Sequence, residues 1–258
     1  MEERVIYESC PLCESEIISL YKVADCSNHP LYNTKLKSAI TWNKCSDCGH
    51  VFTEGFYTDE ACNLIFSKTN DNQRVGANLE QNRLVSSKMI EKVLPFVSDG
   101  YWLDVGFGNG SLLFTAREYG FNPIGTDLRI DNVAIINQLG IQAYNKNITE
   151  LMLEEKCSVI SMADVLEHIP YPKESLVAAN NLLKHGGVLL VSMPNSENVI
   201  WEVMNNQNIN PYWGEIEHYH NFSRTRLYSL LSEFGFVPKR YGISERYRVS
   251  MEVVAQKI

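Results

Sequence analysis

Two groups of residues in this sequence have types and spacings that could do chemistry. The first is a pair of CxxC turns, Cys10-Pro11-Leu12-Cys13 and Cys45-Ser46-Asp47-Cys48, both within the first fifty residues. Each turn can set two thiolates on one side of a tight knuckle, and two knuckles complete a tetrahedral Zn²⁺ site. Four thiolates leave no open position, so the expected chemistry is structural. Gly49 suits the left-handed residue that follows such a knuckle. The segment between the pairs holds little apolar material and is expected to need the metal in order to fold. Cys26 and His29, spaced CxxH, are expected to be bystanders. Cys62 and Cys157 read as buried small hydrophobes, and His50 as a surface residue or a neighbour behind the ligands.

The second group is Leu103–Leu113, LDVGFGNGSLL. Here a short apolar strand ends at Asp104, a turn carries Gly106, Gly108 and Gly110, and a helix begins at Ser111. No side chain blocks approach at the three glycines, and the helix start offers free N–H groups, so backbone can come close to a ligand. Asp127 lies 21 residues after Gly106, at the end of the next strand. An acid there can accept hydrogen bonds from ribose hydroxyls. The strict GxGxxG pattern of dinucleotide sites fails, because Asn109, Gly110 and Ser111 follow Gly108. An ionised Asp104 would repel a pyrophosphate but suit an ammonium or sulfonium group. A cationic amino-acid nucleoside therefore fits better than a dinucleotide.

The elements that must position these residues follow from periodicity. An amphipathic helix spans residues 79–94 and is ended by Pro95. Strands are expected near 101–105, 122–126, 141–144, 159–162 and 188–193, separated by helices over 111–119, 131–139 and 172–183. A further helix after Ser223 is followed by strands near 236–243 and 248–256. This alternation predicts an α/β doubly wound, seven-stranded, mostly parallel sheet. The expected organisation is a zinc-ribbon-like module over 1–55, a linker and helix over 56–95, and a main domain over 96–258 with a lid insertion over about 195–222. The polar run 67–78 reads as a loop, with Asn72, Gln73 and Arg74 as weaker contact candidates.

A net charge of −8 argues against nucleic acid and anionic membranes as partners. There is no apolar stretch near the first residue and no 18-residue apolar run, which points to a cytoplasmic protein with no membrane insertion.

From about residue 80 to 258 the chain resembles class I S-adenosylmethionine-dependent methyltransferases. The resemblance rests on LDVGFGNG, GTDL, DVLEHIPYP, HGGVLLVSMPN and EHYHNFSRTRLYSLLSEFGF, in the order and spacing of that family. With CPLC…CSDCGHVFT in front, it resembles bacterial methyltransferases of surface-glycan and capsule clusters and sugar methyltransferases of antibiotic pathways. The resemblance implies that Asp104, Gly106, Gly108 and Gly110 line the methionine side of the donor. It places Asp127 on the ribose hydroxyls and Leu128 against the adenine. Asn147 and Ile148 fall near the adenine edge, and Ala163 and Asp164 on the far wall.

Methyl transfer to a hydroxyl needs a base. His168, His218 and His220 are the candidates, with His218 or His220 preferred. The insertion that carries the last two is rich in aromatics (Trp201, Tyr212, Trp213, Tyr219) suited to stacking on a sugar or nucleobase. The expected acceptor is a small molecule, a hydroxyl of a sugar or nucleotide-activated precursor, including a phosphate-derived capsule decoration. A rival arrangement resembles the small-RNA 3′-end methyltransferases. There Asp164, Glu167, His168 and one of His218 or His220 hold a second divalent metal against a ribose or sugar diol. A third possibility is a non-catalytic scaffold that binds S-adenosylmethionine.

Overall fold

The structure, a computed structural model, describes residues 3–65 and 71–258, with the side chain of Asp71 excepted. Part of the polar run, residues 67–70, and part of the 56–95 linker therefore lie outside the described residues.

The chain opens with strands β1 (Arg4–Ile6), β2 (Ile18–Asp25), β3 (Ala39–Cys45), β4 (Val51–Thr53) and β5 (Gly55–Tyr57), then helix α1 (Asp59–Ile65). Next come α2 (Leu79–Val93), β6 (Tyr101–Val105), α3 (Ser111–Glu118), β7 (Asn122–Thr126), α4 (Ile130–Gln138) and β8 (Gln142–Tyr144). After these run β9 (Cys157–Ala163), α5 (Pro172–Leu182), β10 (Leu183–Pro194), α6 (Val199–Asn206) and β11 (His220–Asn221). The chain closes with α7 (Arg224–Glu233), β12 (Phe236–Ile243) and β13 (Ser250–Lys257).

These elements form two compact units. The first takes Met1–Thr69, Glu167–Pro172 and Pro194–Leu227; the second takes Asn70–Leu166, Lys173–Met193 and Tyr228–Ile258. The unit that carries the cysteines is thus larger than the first 55 residues, because the segment expected to be a lid folds as part of it.

In the first unit a four-stranded sheet runs in the order β11-β4-β3-β2, with antiparallel pairing throughout. A separate pair, β1-β5, is also antiparallel. Gly55 belongs to that pair, and a Cβ on it would stand 2.1 Å from the Val5 carbonyl oxygen. Alternation along β3 buries Ile40 and Trp42, and the strand ends on buried Cys45. The unit's three largest fully buried side chains are aromatic: Trp42, Phe52 and Phe222. Trp42 donates its indole N–H to the Trp213 carbonyl at 2.9 Å, and the two rings meet edge to face.

The second unit is the seven-stranded sheet, in the order β12-β13-β10-β9-β6-β7-β8. The pairs β10–β9, β9–β6, β6–β7 and β7–β8 are parallel, and β12–β13 is antiparallel. Its central strands are nearly continuous apolar runs, as expected where helices cover both faces. One packed face joins Met89, Ile90 and Val93 of α2 to Trp102, Val159, Val188, Leu190 and Val254. The chain progresses outward from β6 through β7 and β8, then returns to β9 on the other side of β6. The carboxyl ends of β6 and β9 therefore flank the point where strand order reverses, which is where open α/β sheets bind ligands. His185, Gly186 and Gly187, between the helix expected to end at 183 and the strand expected from 188, lie within β10, whose pairing with β9 is irregular between Leu183 and Val188.

Candidate functional site

The glycine turn is built at that reversal point. Gly106, Gly108 and Gly110 have φ of 68°, 52° and 81°, a left-handed conformation that other residues adopt at a cost. A Cβ at Gly108 would stand 2.5 Å from Gln73 Oε1. The turn is braced by segment 71–78. Gly76 N–H donates to the Asn109 carbonyl at 3.2 Å, and Asn109 Nδ2 donates to the Ala77 carbonyl at 2.8 Å. Asn132 ties both together, its Nδ2 donating to the carbonyls of Gln73 (2.9 Å) and Gly108 (3.0 Å). Residue types alone mark Gln73 only weakly as a contact; its role as a wall of the turn comes from this packing.

Asp127 directly follows β7 beside the turn, and its side chain is almost fully buried. Gly108 N–H donates to its Oδ2 at 3.0 Å and Arg129 N–H to its Oδ1 at 2.8 Å. Arg129 Nη1 also lies 3.4 Å from both carboxylate oxygens, so a ligand hydroxyl would take the place of this long contact. Leu128, the next residue, is 66% exposed. Asn147 is exposed and opens the 148–150 turn with Glu150 as a capping box, its backbone N–H donating to Glu150 Oε2 at 2.9 Å. Ile148 beside it is buried.

Asp104 is 4% exposed and accepts from Ser161 Oγ at 2.6 Å; Trp102 Nε1 in turn donates to that hydroxyl at 2.8 Å. Burial pushes the Asp104 carboxyl up to about 7, against the pull of the Ser161 hydrogen bond and the Arg246 charge. A neutral acid can become a carboxylate when a cation arrives. Ala163 closes β9, and Asp164 follows in a left-handed conformation (φ 57°). Its carboxylate accepts from Ser192 Oγ at 2.8 Å and lies 3.4 Å from Arg246 Nε. Arg246 and Ser161 are contributions that the sequence reading missed. Neither sits in a motif, and only strand register brings Ser161 opposite Asp104.

In the first unit the four cysteines converge, with every sulfur within 4.8 Å of the others. Cys10 Sγ lies 3.7 Å from Cys48 Sγ, and Cys13 Sγ lies 3.5 Å from Cys45 Sγ. A tetrahedron of thiolates at the usual Zn–S distance has edges of about 3.8 Å. The donor set and spacing therefore fit zinc. Cys26 lies apart from this cluster, and His29 Nε2 pairs instead with Glu215 Oε1 at 2.6 Å, which raises its pKa.

The three candidate bases have different surroundings. His220 is buried, and both its ring nitrogens are engaged. Nδ1 lies 3.0 Å from His50 Nε2, and Nε2 lies 2.9 Å from the Ile169 carbonyl. The carbonyl can only accept, so Nε2 carries the proton and Nδ1 accepts from His50. Burial pulls the pKa of His220 down to about 4 and that of His50 well below its usual value. The surface position considered for His50 is thus corrected: it stacks on Phe52 inside the unit at 1% exposure.

His168 and His218 instead meet each other, ring centroids 4.7 Å apart and edge to face. The Glu217 carbonyl accepts from His168 Nδ1 at 2.9 Å, which leaves the Nε2 lone pair available. His218 Nδ1 is buried with no hydrogen-bond partner among the described residues. Burial, then the neighbouring His168, His29 and His220, hold its pKa well below 6.5. Ligand atoms of Glu167, His168 and His218 all lie within 4.8 Å of one another, a group that includes neither Asp164 nor His220.

A family profile described as a methyltransferase domain matches residues 79–239. Among curated relatives, the ubiquinone biosynthesis O-methyltransferase of Pseudomonas aeruginosa (strain UCBPP-PA14) is 33% identical over 101 residues, which is 36% of this chain and 44% of that protein. The protein of the same name from Glaesserella parasuis serovar 5 (strain SH0165) is 30% identical over 106 residues, 36% of this chain and 44% of its own. The chain spans less than half the length of these relatives. Among solved structures, the 1,6-didemethyltoxoflavin-N1-methyltransferase of Burkholderia thailandensis superposes with a TM-score of 0.58 at 16% identity, over 82% of this chain and 97% of that one. The magnesium protoporphyrin IX methyltransferase of Synechocystis PCC 6803, with bound S-adenosylhomocysteine, gives 0.55 at 18% identity, over 69% and 84%.

Proposed function

This chain belongs to the methyltransferase domain family, and from that premise we propose that it transfers a methyl group from S-adenosylmethionine to a hydroxyl of a small polar acceptor. The observation that carries the reading is the glycine cradle at the reversal point of the sheet, flanked by Asp127 on one side and Asp104 on the other. A Cβ at Gly106 would meet Val165 Cγ2 at 3.1 Å, and one at Gly108 would meet Gln73 Oε1 at 2.5 Å. Asp127 takes the ribose hydroxyls and Leu128 flanks the adenine. Asp104 faces the cationic methionine end. Asn147 and Ile148 flank the adenine edge.

The acceptor oxygen attacks the methyl carbon in line with the sulfonium, the C–S bond breaks onto sulfur, and the hydroxyl proton leaves to a base. The donor is already activated, so alignment supplies most of the acceleration. His220 has no free nitrogen for that proton. The base role passes to His168 or His218, and His168 Nε2 has its lone pair free for it. Oxygen as the accepting atom is supported by the O-methyltransferase names of the curated relatives, which concern ubiquinone biosynthesis. A sugar or capsule acceptor rests on the N-terminal cysteine resemblance alone. A panel of nucleotide sugars and catechols separates the two: turnover on catechols but on no sugar would remove the glycan reading. Zn²⁺ in the four-cysteine site serves the fold of its unit.

Changing Asp127→Ala is expected to weaken S-adenosylhomocysteine binding about tenfold to a hundredfold, consistent with loss of charged hydrogen bonds. Calorimetry on the purified chain checks this, and unchanged affinity removes Asp127 from the site. No binding of S-adenosylmethionine to the wild type at millimolar ligand would sink the enzyme reading. His168→Ala/His218→Ala is expected to lower turnover by at least a hundredfold with donor binding intact.

A second reading is favoured by the convergence of Glu167, His168 and His218, a carboxylate and two imidazoles able to hold a divalent metal against a diol. Metal analysis decides it. One equivalent in the wild type and none in a variant lacking Cys10, Cys13, Cys45 and Cys48 would leave no second metal.

A further inference from the structure

We propose that Arg246 recognises the α-carboxylate of the donor's methionine moiety. The inference rests on the donor reading above and adds a residue that none of the glycine-turn or acidic motifs contains. The methionine end of S-adenosylmethionine is an ammonium and a carboxylate a few ångströms apart. A site for it needs an acid and a base side by side. Asp104 and Asp164 supply acids at the ends of β6 and β9. Arg246 supplies the base, from the connection between β12 and β13.

Three features make this guanidinium a built group. First, its backbone is fixed: Ser244 Oγ accepts from the N–H of Arg246 at 3.2 Å and of Tyr247 at 3.4 Å. Ser244 N–H donates to the Ser250 carbonyl at 3.0 Å, and Ser250 N–H to the Tyr247 carbonyl at 2.8 Å. Second, only its inner nitrogen is engaged. Nε lies 3.4 Å from Asp164 Oδ2, an ion pair that leaves this buried oxygen without a hydrogen bond, whereas Nη1 and Nη2 have no partner among the described residues, and the side chain is 33% exposed. A guanidinium held at Nε presents its two outer nitrogens as a fork, which matches a carboxylate bidentately. Third, the partner is itself held in place. Asp164 keeps a left-handed backbone that is costly for a residue with a side chain, and its N–H donates to the Ser192 carbonyl at 2.9 Å while its carboxylate accepts from the Ser192 hydroxyl. Strain held by several neighbours at the carboxyl edge of a sheet points to a positioned group.

The electrostatics agree. Burial works against the Arg246 charge, and Asp164, Asp104 and Glu252 outweigh it. Glu252 is itself paired with Lys92 at 2.5 Å, so the acids without another cation that face Arg246 are those at the donor site.

The experiment compares two ligands that differ only by the carboxylate, S-adenosylmethionine and decarboxylated S-adenosylmethionine, by calorimetry on the full chain. Wild type should bind the first at least tenfold more tightly. In R246A the affinity for S-adenosylmethionine should fall by about 10- to 100-fold, as for one bidentate charged contact, while the decarboxylated ligand changes less than twofold. R246K should fall between. An equal loss for both ligands would make Arg246 merely structural, and R246Q with its melting curve checks that against misfolding. An unchanged affinity for S-adenosylmethionine in R246A would overturn the proposal and direct Arg246 to an anionic acceptor instead. Wild type binding neither ligand would overturn the donor reading, and this one with it.

Discussion

The two units solve the problem of buried polarity in opposite ways. The first holds Cys10, Cys13, Cys26, Cys45, Cys48 and Cys62 and all the histidines except His185, and its largest buried side chains are aromatic. The second is a largely aliphatic, mostly parallel sheet whose buried acids Asp104 and Asp127 accept from a hydroxyl and from backbone N–H groups. One unit depends on keeping bases neutral and thiolates together, the other on keeping an acid protonated until a cation arrives. The contrast assigns them different duties. Four convergent thiols fit a metal that would make a small aromatic lobe cohere, whereas the sheet needs no such help and keeps its unusual chemistry at its carboxyl edge.

The largest expected break in this contrast comes from the cysteines. Replacing Cys10 and Cys45 by Ser should remove the bound metal and with it the calorimetric transition of the first unit, because metal binding and folding are one event in such knuckles. S-adenosylhomocysteine should still raise the melting temperature of the remaining transition. If that protection disappears too, the two units are not energetically separate.

The next largest is a difference of sign with pH. His220 has its folded pKa lowered to about 4 from 6.5. Below pH 6.5 the unfolded chain takes a proton that the folded unit refuses, so this contribution is present above 6.5 and is lost as pH falls toward 4, about 3 kcal/mol in all. Asp104 has its folded pKa raised to about 7 from 3.8. Between those values the folded unit keeps a proton that the unfolded chain has released, so its contribution is full at low pH and declines as pH rises to 7. Urea titrations between pH 4.5 and 7.5 should show H220Q flattening one slope and D104N the other; parallel profiles for the two variants would erase the distinction. Donor affinity should rise with pH up to about 7, because a cation favours the ionised Asp104, and D104N should abolish the rise.

The smallest effect compares two left-handed glycines. Gly49, φ 71°, has open space where a Cβ would go, so G49A should cost only backbone strain, about 1 kcal/mol. Gly110, φ 81°, would place its Cβ 3.0 Å from Ile136 and Phe114, so G110A should cost about 1 kcal/mol more. Equal losses in thermal melts would mean that α3 and α4 yield at no cost.

Much of the second unit was legible beforehand. The helix over 79–94, the strand ending at Asp104 and the strands near 122–126 and 236–243 follow from periods of 3.6 and 2 and from glycine and proline stops, and they lie within a residue or two of their observed ends. The first unit was less legible, because its sheet takes β11 from a segment some 170 residues further along the chain than β4. No local pattern links Val51–Thr53 to His220–Asn221.

The sequence by itself determined the local chemistry: CxxC knuckles, a glycine turn between strand and helix, and an acid at the end of the next strand. These are properties of adjacent residues, and backbone sterics and ligand spacing act over a few bonds. Only the tertiary structure decided which buried group keeps a free atom. His218 and His220 stand two residues apart in the same run. Yet one meets His168 beside Glu167, while the other is closed off by His50 and the Ile169 carbonyl. A buried polar atom is satisfied by whatever the fold brings within about 3 Å, and those partners come from distant parts of the chain. Arg246 follows the same logic. Nothing in its own segment marks it, and its meaning comes from the strained aspartate that β9 and β10 hold against it.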